Sequence, residues 1–352
     1  MEFDYLIVGQ GLCGTLLARQ LIKAGKRILV IDDGKPDASS RVAGGLINPV
    51  TGKRMVRSWL IEQLLPTAIE EYSAMEKEIG EPLVNITDII DCYTSSDDKR
   101  QFFERASTDF EFLNTQDQAG AFNNFFHLPF GAGQIKPALH IKIGAILNYW
   151  RSRLDTSGML ANATFDLESC QISPGSVSWN GIRASGIIFC DGESAKSNPY
   201  FHMLPWSKDK GEALIVSIPG LPDNHIYRHG HISIVPWNDG LFWIGAAHDW
   251  KYETTGPTDL FRTATISILE KWLKVPFHIV DHRSSLRPAN FDRKPFVGFH
   301  PQAPNVGIFN GMGGKGFSMA PYFAKQFVEN IAIGEPIMAD VSIERYKKIL
   351  SR

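Results

Sequence analysis

Apolar and polar positions divide the chain into segments of distinct period. Residues 5–8 and 28–31 are continuous apolar runs, as a strand buried on both faces requires. Between them, 9–14 is a glycine turn and 15–24 a helical pattern ending at Gly25, so this stretch reads as a β-α-β unit. Residues 37–53 then form a polar loop with Gly44-Gly45 and Pro49, and a loop of that length inside a compact domain is usually functional. Ile69, Tyr72 and Met75 predict an amphipathic helix over 66–79 with Pro66 near its first turn. Further helices are expected over 97–106, over 139–154, from Asp259 as N-cap to Lys274, and over 318–333 with Ser318 as N-cap. A short buried strand over 186–190 ends in Asp191-Gly192. Between 212 and 247, β-rich runs at 214–218, 232–235 and 241–244 alternate with turn signals such as Asn238-Asp239-Gly240, the pattern of an antiparallel block. No internal repeat or low-complexity linker separates these segments, so a second domain is expected as an insertion into the first.

Composition narrows the possibilities. With 352 residues, 43% hydrophobic and 21% charged, the chain can bury a core and is long enough for two domains. A net charge of −2 lacks the phosphate attraction of a dedicated nucleic-acid binder. No apolar run is long enough to span a bilayer, and Glu2 and Asp4 stand where a secretory signal would carry basic residues; a cytoplasmic location without membrane association is expected. Cys13, Cys92, Cys170 and Cys190 are widely spaced, which predicts free thiols and neither a disulfide framework nor a zinc site. Thirty-one glycines exceed what loops alone need, which directs attention to where they cluster.

The first cluster, Gly9-Gln10-Gly11-Leu12-Cys13-Gly14, is a G-x-G-x-x-G between a strand and a helix, with Asp32 at the end of the next strand. The first glycine permits the tight turn, the second lets the backbone approach a pyrophosphate, and the third allows close helix–strand packing. The phosphates would sit on the free N–H groups of the helix start, and Asp32 would accept from a ribose diol. Gly9, Gly11, Leu12, Gly14, Asp32 and Asp33 are therefore candidate dinucleotide contacts, joined by Gly44, Gly45 and Leu46 of the polar loop and by Asp191 and Gly192. Cys13 reads as a small residue beside bound phosphate, or as a thiol acidified by the helix start.

The second cluster, Asn310-Gly311-Met312-Gly313-Gly314-Lys315-Gly316, leads through Phe317 into the last helix. A reduced flavin carries negative charge that a helix N-terminus and a lysine would stabilise, whereas a nicotinamide has no such need. This favours FAD, with Gly311, Gly313, Gly314, Lys315, Gly316 and Phe317 as contacts and the two glycine clusters at opposite ends of one cofactor.

The fingerprint with Asp32, the segment 43–49, Lys210-Gly211-Glu212, the 234–246 hairpin, Leu286-Arg287-Pro288, 295–298 and the terminal glycine loop into Ala320-Pro321 resemble the D-amino-acid oxidase superfamily over nearly the whole chain. Among its branches the sequence is similar to glycine and sarcosine oxidases and to the flavin domain of the bifunctional tRNA wobble-uridine modification enzyme. The resemblance implies a mixed α/β fold: a Rossmann-type FAD-binding domain from 1–57, 135–204 and 284–352, and an interleaved antiparallel-sheet substrate domain from 58–134 and 205–283. The cysteine that attaches flavin covalently in sarcosine oxidases has no counterpart after Cys190, so noncovalent FAD is implied. Ser233 stands where glycine oxidases carry an active-site tyrosine, and the second arginine of their terminal loop falls near Gly314, which argues against glycine itself as substrate.

Two residues are assigned to the chemistry. Arg287 offers a donor fork that matches a carboxylate and aligns with the superfamily's substrate-carboxylate arginine; the competing reading is an ion pair with Asp292 or Asp281. Lys315 is expected as an electrostatic partner of reduced flavin. His225, His229 and His231 lack a supporting carboxylate pattern for metal binding, so they read as pocket lining or sheet edge. Gly316-Phe317-Ser318-Met319-Ala320 lacks the preceding strand of a nucleophile elbow. Trp206, Trp237, Trp243 and Trp250 fall in the expected substrate domain, as core packing or as a pocket wall. The expected activity is FAD-dependent oxidation of the C–N bond in a small amino acid or secondary amine, by hydride transfer to flavin N5, with oxygen as acceptor and hydrogen peroxide as product. Alternatives are a tRNA-modifying oxidase acting on an aminomethyl-uridine, against which the charge and the missing partner domain count, and a dehydrogenase with another electron acceptor.

Overall fold

The computed structural model describes residues 2–52 and 54–351, so Lys53, the end of the expected 37–53 loop, lies outside the described residues. The chain divides into two units, Met1–Arg41, Ile143–Asp209 and Leu286–Arg352 forming the first, and Val42–Lys142 and Lys210–Ser285 the second.

The first unit is built on parallel strands in the spatial order Ala303–Asn310, Ile182–Phe189, Glu2–Val8, Ile28–Ile31 and Leu160–Ala161. All four residues of Ile28–Ile31 are buried, because helices cover a parallel sheet on its faces and leave no polar side. Register pairs Val8 with both Ile31 and Phe189, and Phe189 with Ile308. The carboxyl ends therefore finish together, bringing Gly9, Asp32, Cys190 and Asn310 to one edge, where open α/β sheets bind ligands. The hairpin Cys170–Ser173/Ser176–Trp179 pairs antiparallel with the start of Ile182–Phe189. Leu6, Leu29, Ile187, Phe189 and Ile308 pack in one core cluster.

The second unit contains a nine-stranded sheet in the path order His278–Leu286, Lys210–Ser217, Leu241–Gly245, Ile232–Pro236, Ile226–His229, Val84–Cys92, Ala132–Ile141 and Leu46–Ile47, with Leu113–Asn114 pairing Ala132–Ile141. The antiparallel reading of the 212–247 block holds, while Ile226–His229 pairs parallel to Val84–Cys92. Phe126 stacks on Trp272 at 4.8 Å and meets Tyr227 at 4.9 Å, centring the core.

Several expected elements shift. The helix expected over 139–154 is the end of the strand Ala132–Ile141 followed by the helix Ile143–Thr156. Leu139, Ile141, Ile143, Ile146, Leu147, Trp150 and Leu154 are all buried, so an apolar run continuous across the junction masked the change of period. Pro66 lies beyond the first turn of the helix Ile61–Ile79. Thr258, not Asp259, caps the helix Asp259–Trp272: its hydroxyl accepts from Phe261 N at 3.3 Å. The terminal helix is Gly316–Ile333, and Ser318 within its first turn donates to Lys315 O at 3.0 Å instead of capping. Trp206 belongs to the first unit, where it packs edge-on against Phe296 at 4.8 Å and donates to Phe201 O. No helix among the described residues is long and apolar enough to cross a membrane.

Candidate functional site

At the strand ends of the first unit, Gly9 takes a positive φ of 97°, and a Cβ there would stand 2.6 Å from Cys190 O. A Cβ on Gly14 would meet Gly9 O at 1.8 Å, so the third glycine is fixed by the turn itself. The helix Leu12–Lys23 begins at Gly11 with no side-chain cap from that residue. Leu12 N instead donates to Ser40 Oγ at 2.9 Å, and a Cβ on Gly11 would lie 3.1 Å from the same oxygen. Ser40 was missed by the sequence reading. A hydroxyl far along a polar loop gives no periodic signal, but serine at a helix start is a recognised device for satisfying orphan N–H groups.

Asp32 is held on all sides. Its Oδ2 accepts from Gln10 N and its Oδ1 from Gly34 N, both at 2.8 Å. From the helix Ile143–Thr156, Arg151 donates to Asp32 Oδ1 at 2.5 Å, to Asp32 O at 3.2 Å and to Asn162 Oδ1 at 2.7 Å. Arg151 is a second residue that sequence spacing did not reveal, since it stands 119 positions from its partner. Asp33 faces Thr164 and Lys35; burial opposes its ionisation, but those partners prevail and hold its carboxyl below the usual range.

The second glycine cluster lies in the same unit. A Cβ on Gly316 would contact Leu12 Cδ2 at 3.2 Å, so the starts of the fingerprint helix and the terminal helix pack together. Gly311 has φ 79° and Gly313 φ 54°. Asn310 donates to Asp191 Oδ1 at 3.1 Å and to Gly192 O at 2.9 Å, while its own Oδ1 accepts from Gly311 N. Asn290 donates to Gly311 O at 2.9 Å, and Gly313 N donates to Pro288 O at 3.0 Å. That last bond ties the Arg287–Pro288 backbone to the glycine loop. Arg287 Nη1 donates to Asp209 Oδ1 at 2.8 Å. Of the two carboxylates anticipated, Asp292 meets Arg345 and Tyr346, and Asp281 meets Arg283. Burial, followed by the Arg293 charge, holds the Lys315 ammonium below the usual lysine range. Burial pushes the Cys13 thiol up to about 12, the opposite direction from the acidified thiol considered above.

Gly44, Gly45 and Leu46 belong to the second unit. The Trp243 ring fills the space of a Cβ at Gly44, at 2.7 Å, and its Nε1 donates to Val42 O at 2.8 Å. A Cβ on Gly45 would lie 2.0 Å from Ile141 O, and Leu46 pairs with His140. These glycines thus already have a local packing cause. In the Lys210-Gly211-Glu212 step, Glu212 Oε1 lies 3.1 Å from the fully buried Lys210 Nζ, and Glu212 also accepts from Thr258 N, Thr258 Oγ1 and His282 Nε2. His225 pairs with Asp88, and His229 stacks on Trp272 at 5.0 Å. Among the described residues no group of three or more metal-ligating side chains forms.

The first unit's residues fit FAD: a glycine turn with no room for Cβ atoms at the start of a helix, a fixed acidic residue at the next strand end, and a second glycine loop beside a lysine. Residues 4–330 match the DAO family, described as FAD dependent oxidoreductase. A glycine oxidase of Bacillus licheniformis is 24% identical over 375 aligned positions, covering 98% of this chain and 97% of that protein. Among solved structures, glycine oxidase from Geobacillus kaustophilus superposes with a TM-score of 0.77 at 16% identity, covering 97% of this chain and 98% of the other. Iminodiacetate oxidase from Chelativorans sp. BNC1 gives 0.75 at 18% identity, with 97% and 98% coverage. The chain belongs to the DAO family of FAD-dependent oxidoreductases, with FAD as its cofactor.

Proposed function

We propose that the protein oxidises the C–N bond of a small carboxylated amine, an amino acid or a secondary amine, giving an imine and passing two electrons and two protons to oxygen as hydrogen peroxide. FAD, when bound, supplies the hydride acceptor at its N5. The chain's contribution is to hold the substrate in place. Arg287 carries this reading: the Gly313 N–H to Pro288 O bond ties the backbone next to it to the glycine loop, and its guanidinium is held by Asp209. A fork of that kind matches a carboxylate in two parallel bonds. Lys315, at the start of the terminal helix, adds positive charge where a reduced flavin would need it.

The relatives' substrates agree in chemistry: glycine and iminodiacetate are both carboxylated amines. Ser233, on the strand Ile232–Pro236, still weighs against glycine itself. Peroxide release on presenting the purified protein with a panel of amino acids and N-substituted glycines tests the proposal. Peroxide with a carboxylated amine, and none with its decarboxylated analogue, is the expected result. Turnover only with an artificial dye acceptor would replace oxygen by another acceptor, and equal rates for both substrates would remove Arg287 from its role.

A further inference from the structure

Asp191 is out of place electrostatically. It follows the strand Ile182–Phe189 at the strand-end edge, its Cα stands 3.3 Å from the position a Cβ would take on Gly9, and Cys190 N donates to Val8 O at 2.8 Å. The turn that serves the FAD pyrophosphate therefore rests directly on residues 190 and 191. On its other side, Asn310 bridges Asp191 Oδ1, Gly192 O and Gly311 N, so the carboxyl links the two glycine clusters. A carboxylate beside a pyrophosphate repels it, and burial strengthens the repulsion.

The neighbours do not offset that charge. Cys190 on the same strand end and Cys13 on the fingerprint helix are thiols that burial keeps protonated. Glu193 on the following 3-10 turn is paired with Lys196 at 2.5 Å, and Asp32, at the strand end on the far side of Glu2–Val8, is paired with Arg151. Asn310 and Asn198 are neutral donors. No lysine or arginine among the described residues forms an ion pair with Asp191.

We propose that Asp191 takes up a proton from solvent when FAD binds, becoming a neutral link between the two glycine clusters, so that FAD affinity falls as pH rises. Burial already pushes its carboxyl up to about 7 without cofactor, and an added dianion moves it further in the same direction. The sign follows: below the free-protein value the proton is already present and affinity is level, and above it each pH unit costs up to tenfold in Kd until the bound-state value is reached. The inference rests on FAD as cofactor.

The test is FAD affinity of the apoprotein, read by quenching of flavin fluorescence from pH 6 to 9, for the native chain and for Asp191→Asn, which keeps an acceptor for Asn310 without the charge. We expect the native Kd to rise at least tenfold over this range and the Asp191→Asn Kd to remain level near the native low-pH value. Glu193→Gln should keep the native slope. Calorimetry of FAD binding to the native protein in two buffers of different ionisation enthalpy should show net proton uptake at pH 7.5, and needs no variant. A level native Kd, an unchanged slope in Asp191→Asn, or zero proton uptake overturns the proposal. Failure to bind FAD at any pH would instead contradict the cofactor assignment.

Discussion

Arg287 donates to Asp209 both from its guanidinium to Oδ1 and from its backbone N–H to the carbonyl oxygen, each at 2.8 Å. Both side chains are largely enclosed, at 15% and 7% exposure, so the pair orients the fork and offsets part of its charge. Replacing Arg287 by leucine would take a charge partner from a buried carboxylate and confuse stability with function. Arg287→Lys keeps the charge and loses the fork. It should retain FAD and lower kcat/KM for carboxylated amines by about 10- to 100-fold, the equivalent of roughly 1.5–3 kcal/mol for charge-assisted bonds. Asp209→Asn should lower KM for the same substrates. Steady-state kinetics that leave both variants at native values would exclude Arg287 as the carboxylate anchor.

Lys315 should set the flavin potential. Lys315→Met is expected to make the potential more negative by about 20–30 mV, on the order of 1 kcal/mol for a two-electron couple, and to weaken sulfite binding. Because burial holds the Lys315 ammonium below the usual lysine range, the native advantage should disappear as pH rises through that lowered value, earlier than for an exposed lysine. Spectroelectrochemical titration of both proteins across alkaline pH checks the point, and coincident potentials at pH 7 would contradict it.

Much of the glycine turn was legible because its causes are local. Gly9 and Gly14 are dictated by one turn, and the continuous apolar strands on either side announce a parallel sheet. The opposite case is the junction at 141–143, where strand and helix share one apolar run and the periodicity carries no boundary. Partners distant in sequence were hidden for a related reason: Arg151 reaches Asp32, and Ser40 reaches Leu12 N, through folding that no spacing rule encodes. Gly44 and Gly45 show that a glycine pair can mark close packing, here against Trp243 and Ile141 O, without itself revealing a ligand.

Arg151 is expected to serve FAD through Asp32. Arg151→Leu should weaken FAD binding by about tenfold, roughly 1–1.5 kcal/mol for one lost charge-assisted contact. Binding of riboflavin, which has no adenosine ribose, should not change. Equal losses for both ligands in a fluorescence titration would show a general structural defect in place of a ribose-end effect.

Gly44 and Trp243 give a stability test inside the second unit. A methyl group at Gly44 would stand 2.7 Å from a ring anchored by its bond to Val42 O, so Gly44→Ala should cost about 1–3 kcal/mol through overpacking. Gly256→Ala, where a Cβ meets nothing within 4 Å, should lie within about 0.5 kcal/mol of native. Urea unfolding midpoints compare the two; equal midpoints would mean that Trp243 yields freely.

Anaerobic mixing of the purified yellow protein with single amines, followed by admission of air, tests the central claim most directly. The account predicts that a small carboxylated primary or secondary amine bleaches the visible flavin absorbance, that its decarboxylated analogue does not, and that air restores the colour with hydrogen peroxide released. A flavin that stays oxidised with every carboxylated amine, or that bleaches equally with the decarboxylated analogue, would contradict it.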